Sequence, residues 1–145
     1  MPVLWSIFAL LLFCAAIFSS DQSIQNQIIK EAEVTAISES LMIYRNSVAA
    51  FAGSNPSAVG VMDDSVLNLP SWYVTPPGTS HYLATGTSYV YYTQALPGLV
   101  GELAVKTESI NVGTNQGGYL VSPNVGHTAI SLPAQIPQAA VVIIQ

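Results

Sequence analysis

The stretch Val3–Phe18, VLWSIFALLLFCAAIF, runs for sixteen residues without a charge and with Ser6 as its one clearly polar side chain. Any fold of this chain has to find a place for it. Wound as a helix at about 1.5 Å per residue it reaches roughly 24 Å, against about 30 Å for the hydrocarbon core of a bilayer. Met1, Pro2, Ser19 and Ser20 can extend it. Three readings compete. A lipoprotein signal needs small residues before Cys14, and Leu12-Phe13 stand there. A cleaved secretory signal needs a basic start and small residues at the cut. No Lys or Arg precedes Lys30, a cut after Ala16 falls inside the apolar run, and a cut after Ser20 puts Phe18 where a small residue is wanted. Retention of residues 1–20 as a transmembrane anchor, contacting the membrane through residues 3–18, is the expectation these flanks favour. The α-amino group on one side and Asp21 on the other favour translocation of everything after the span.

The 125 or so residues that follow suffice for one compact domain and are too few for two. Only 8% of the chain is charged, and the formal net charge is −5. Lys30, Arg45 and Lys106 are the whole basic complement, which excludes a phosphate-neutralising groove and with it nucleic acid as a partner. A single cysteine, Cys14, excludes an internal disulfide framework.

Ile24 to Ala52 contains neither Gly nor Pro, and a second helical segment over 21–53 is predicted, capped by Ser20 or Asp21. Val34, Ile37, Leu41, Tyr44, Val48 and Phe51 are spaced 3, 4, 3, 4, 3, which draws one apolar face along a helix. That face packs either on its own domain or on partner subunits, and it is the candidate partner-contact face. Gly53 with Asn55-Pro56 ends the helix. Residues 54–145 then read as short strands separated by Gly and Pro: Ser65–Leu69, Trp72–Thr75, His81–Ala84 and Ser88–Thr93 about a Thr85-Gly86-Thr87 turn, Ser109–Val112 and Gly118–Ser122 about a Gly-rich tip, Thr128–Leu132 and Ala139–Ile144. Pro97 opens a short helix to about Lys106, with Leu99, Val100, Leu103 and Ala104 inward. The predicted class is α+β: a transmembrane helix, an amphipathic helix, then a small, mainly antiparallel sheet with one short helix, residues 21–145 forming one folding unit. The terminal β-branched run is a strand buried on both faces, or else an edge open to a partner strand.

No constellation carries chemistry. His81 and His127 are the only histidines, and the acids Asp63, Asp64, Glu102 and Glu108 show no metal-ligand spacing around them. A Ser-His-Asp set can be composed from Ser80 or Ser131 with Asp63 or Asp64, but no G-x-S-x-G elbow supports it. The VGTNQGGY stretch at 112–119 lacks the P-loop lysine and reads as a hairpin tip. Hence no catalytic, cofactor-binding or metal-binding residue is named, and no enzyme is expected.

In length and in segments such as MPVLWSIFALLLF, GELAVKTESINVG and LVSPNVGHTAISLP, the whole chain resembles the PilM proteins of thin type IVb pilus operons on conjugative plasmids. The resemblance implies a bacterial inner-membrane protein, single-pass with a periplasmic C-terminal domain. It also implies a non-enzymatic part of the pilus basal body or pilin transport apparatus, working through contacts with the inner-membrane platform, pilin or secretin, or with a second copy of itself. The unrelated actin-like protein of type IVa systems that shares the name binds ATP; this chain is shorter and has no phosphate-binding motif. Two alternatives stand beside it. A minor pilin or pseudopilin would carry a basic leader ending in Gly and an early Glu, whereas no Gly precedes Gly53 and no acid precedes Asp21. A membrane-tethered periplasmic hydrolase is the alternative from a different class, and absence of ester or glycan turnover by the purified soluble domain would count against it.

Overall fold

The computed structural model describes the backbone of residues 2–145 and the side chains of residues 6, 7, 9 and 23–145. One helix, α1 (Pro2–Ser54), accounts for 53 residues and is continuous through residues 20–21, where the sequence reading began a second helix. The chain divides into two compact units, 1–33 and 34–145.

In the first unit, residues 23–33 are exposed throughout, Ile24, Ile28 and Ile29 included. Among the described residues no helix is long and apolar enough to cross a membrane. The transmembrane helix in the expected fold, and the single-pass inner-membrane placement built on it, are corrected accordingly. The expected span, 3–18, falls almost wholly outside the residues whose side chains are described. The part of α1 that is described carries Lys30, Glu31, Glu33, Glu39 and Arg45, and its apolar residues from Val34 onward gather on one side.

The second unit is α+β. Six strands, β1 (Thr79–Ala84), β2 (Thr87–Tyr92), β3 (Val112–Gln116), β4 (Tyr119–Ser122), β5 (Gly126–Ser131) and β6 (Val141–Ile144), form one sheet in the order β1-β2-β6-β3-β4-β5. Every neighbouring pair is antiparallel. A short helix α2 (Leu99–Thr107) links β2 to β3. Period-2 alternation builds two cores. Leu83, Val90, Tyr92, Val112, Val141 and Ile143 meet Leu41, Tyr44 and Val48 of α1 and Leu99, Leu103 and Ala104 of α2. On the opposite face Tyr91, Leu120 and Val142 pack under Leu132, Ile136 and Ala140 of the segment that leads into β6.

The stripe Val34, Ile37, Leu41, Tyr44, Val48, Phe51 therefore belongs to the domain's own core rather than to an open partner-contact face: the middle three are buried and the outer three pack against them. The terminal strand is likewise internal, since Val142 pairs with Tyr91 on one side and Gly113 on the other. Gly113 is needed there because a Cβ at that position would meet the Val121 carbonyl. α1 ends as the Asn55 amide and side chain both bond the Phe51 carbonyl and Pro56 follows. Between Ser54 and β1 no strand forms, contrary to the two predicted there. Asp63 instead caps a 3-10 turn (Asp64–Val66), and Asn68 takes a φ of 57°, which breaks an extended run.

Both sheet edges are interrupted. At the outer edge of β1, the Gly60 N–H and carbonyl bond the Leu83 carbonyl and N–H at 2.9 and 2.8 Å. In β5, residues 128–130 stand opposite Leu120 alone, a bulge that also directs the Thr128 hydroxyl to the Leu120 carbonyl.

Candidate functional site: a pinned surface segment

Residues 55–78 form a connection of the length that usually serves binding or recognition when it is ordered. Here the ordering has a definite source. The Met62 N–H donates to His81 Nε2 at 3.0 Å, so that nitrogen is an acceptor and the ring proton sits on Nδ1. Nδ1 lies 2.8 Å from the Tyr44 hydroxyl and donates to it. The Tyr44 hydroxyl in turn donates to Asp64 Oδ1 at 2.7 Å, and Thr75 donates to Asp64 Oδ2 at 2.8 Å. One relay thus ties β1, α1, the 3-10 turn and Thr75 together. Beside it Tyr73 stacks on Tyr44 at 6.3 Å and donates its hydroxyl to the Ser40 carbonyl. Leu67 and Pro76 are buried anchors.

The electrostatics follow from burial. The Tyr44 phenol is pushed far above its ordinary range by burial and then by its bond to Asp64, so it stays protonated. Burial lowers the His81 pKa, with the Asp64 charge opposing, so the neutral ring is favoured. Asp63 is held below the usual carboxylate range by its bonds to Ser65. The His81-Tyr44-Asp64 chain has the parts of an acid-base relay, but Tyr44 is 2% and His81 1% exposed, which leaves no approach for a substrate.

Outward, among exposed polar residues such as Asp63, Ser65 and Asn68, the segment displays large apolar side chains. Trp72 is 70% and Val74 82% exposed, with Val59, Val61 and Val66 also open. A cleft of about 400 Å³ lined by Phe51, Asn55, Val66 and Leu67 adjoins the segment. Large apolar side chains displayed on a rigid, hydrogen-bonded platform are what a preorganised protein contact needs.

The other candidate residues do not converge. His81 on β1 and His127 on β5 occupy opposite edges of the sheet, five strand spacings or about 24 Å apart. His127 instead lies against Tyr119, ring centroids 5.5 Å apart. Ser80 and Ser131 sit on those same two separate strands, and Asp64 is taken by Tyr44 and Thr75. Among the described residues no three His, Cys, Asp or Glu side chains gather as metal ligands. Glu102 and Glu39 flank Lys106 at 3.5 and 3.7 Å, and that ammonium also bonds Ser38, a structural use.

The PilM family profile matches residues 7–144. This chain belongs to the PilM family. Among solved structures, a PilM protein from Pseudomonas aeruginosa 2192 is 38% identical, with a TM-score of 0.52 over 78% of this chain and 95% of the other. A PilM protein from Escherichia coli B7A is 24% identical, with a TM-score of 0.61 over 79% and 93%, a likeness of fold. No curated protein matches the chain. For this PilM-family chain, sequence reasoning singled out the apolar stripe and missed the surface segment. Trp72 lies in a turn and Val74 just beyond it, where the sequence predicts a strand, and Tyr44 contributes its hydroxyl as well as an apolar ring. The signal that could have found them is the span of more than twenty residues after α1 that holds a Trp among turn-forming residues.

Proposed function

We propose that this PilM-family chain is a non-catalytic component of the pilus basal body or pilin transport apparatus, working through protein contacts made by the 55–78 segment. Membership of the PilM family relates it to pilus biogenesis. The observation that carries the finer reading is the exposure of Trp72 and Val74 above a fully engaged polar relay. The side chains able to do acid-base work are spent on holding that surface. The partners would be other pilus assembly proteins, whether the platform, pilin or secretin.

The test is the double variant Trp72→Ala, Val74→Ser in the full chain. Because both side chains point to solvent, thermal unfolding should match the unsubstituted protein. Loss of a Trp anchor typically costs about 2 kcal/mol or more in binding, about 30-fold in affinity. Piliation and co-purification of assembly proteins should therefore fall together. Normal piliation with unchanged co-purification would overturn the assignment of this surface.

A further inference from the structure

We propose that His81 is a proton-operated latch for the 55–78 segment: a proton taken up at Nε2 releases residues 60–62 from the outer edge of β1. The geometry carries this. Nε2 has one lone pair, and the Met62 N–H already points at it from 3.0 Å. A solvent proton bound there turns the acceptor into a donor, and two N–H groups then face each other. The Met62 bond must break, while Nδ1–H keeps its bond to Tyr44. Two residues before Met62, Gly60 makes the paired bonds with Leu83 that cover the β1 edge. Leu83 is two residues beyond His81 on the same face of β1, so latch and edge cover are adjacent.

The surroundings of His81 bias it toward the closed form. From α1 it faces the Tyr44 hydroxyl, and from the 3-10 turn it feels Asp64; Tyr73 stacks on the Tyr44 ring. β2 sets Val90 opposite it, and Tyr91 of that strand acts on Tyr44. Asp64 is the one carboxylate that favours the charged ring, and both of its oxygens are already bonded. An opened histidine, by contrast, meets water and takes up protons normally. Acid therefore pulls the equilibrium toward release of residues 60–62, the part of the segment that leads into the turn beneath Trp72 and Val74. The latch bears on how the proposed contact surface is regulated, but its test reads the segment itself and stands apart from partner binding.

Amide hydrogen exchange on the full chain at pH 7.5 and 5.5 decides it, expressed as protection factors so that intrinsic rates cancel. A histidine of ordinary pKa near 6.5 is about 90% protonated at pH 5.5, so protection at Gly60, Met62 and Leu83 should drop about tenfold. The amides of Val142 and Ile143 in β6, exposed only when the domain unfolds, should stay better protected than these three at both pH values. Unchanged protection at the three sites, or protection there no lower than in β6 at pH 5.5, would overturn the latch. His81→Gln keeps one donor and one acceptor without titrating, and in that variant the drop should vanish; a drop of the same size would show that another group drives it. If that variant does not fold, the comparison within the unsubstituted protein decides alone.

Discussion

Tyr44 joins two environments: its ring lies in the core with Leu41 and Val48, and its hydroxyl accepts from His81 and donates to Asp64. Removing only the hydroxyl, as in Tyr44→Phe, leaves the buried Nδ1–H of His81 without an acceptor. Such an orphan costs about 1–3 kcal/mol, which a urea midpoint would register. Tyr44→Ala adds a cavity, and its cost should be larger, about 3–5 kcal/mol by analogy with other aromatic truncations. The pH dependence has a definite sign. Burial lowers the His81 pKa in the folded state, so below about 6.5 the unfolded chain binds the proton that the folded chain refuses. The stability contributed by the neutral ring is complete above that pH and declines as pH falls through it. Equilibrium unfolding from pH 8 to 5 should show this decline, and His81→Gln should flatten it.

At the scale of elements, the long helix was legible because its 3, 4, 3, 4, 3 spacing is a physical requirement for burying one side of a helix. Leu41→Asp should accordingly cost several kcal/mol and unfold residues 34–145, seen as loss of the thermal transition. The β1-β2 hairpin was legible from Thr85-Gly86-Thr87, where Gly86 supplies a φ of 77°. The second hairpin was misplaced for a reason local sequence cannot reveal. Gly113 to Gln116 look like a flexible tip, yet they form most of β3 because β6 and β4 pair on either side. Asn115 reinforces this: its side-chain amide donates to the carbonyls of Ile136 and Pro137 and its oxygen accepts from Gly118. Turn-forming residues were thus recruited as cross-braces. The missed surface segment has the same origin, since nothing adjacent in sequence announces that Asp64, Tyr44 and His81 will meet. Gly113→Ala tests the crowding at β3; it should destabilise measurably in chemical denaturation, whereas Gly117→Ala at the turn is limited to the strain of its φ of 63°.

For the molecule as a whole, none of the six strands carries Asp, Glu, Lys or Arg. Among the described residues the salt bridges all involve Lys106. Stability should therefore change by less than about 1 kcal/mol between low and high salt, because exposed ion pairs contribute little even when present. The strand order carries a temporal consequence. β6 comes last of the six strands in the chain yet lies between β2 and β3, so every ladder that unites the two halves of the sheet depends on it. While the polypeptide is being made, the β1-β2 hairpin and the β3-β4-β5 meander can each form early, but they remain separate pieces with a raw inner edge apiece. Only the emergence of Val141 to Ile144 converts them into one sheet, and until that moment the nascent chain offers other molecules the two edges that the finished protein keeps for itself.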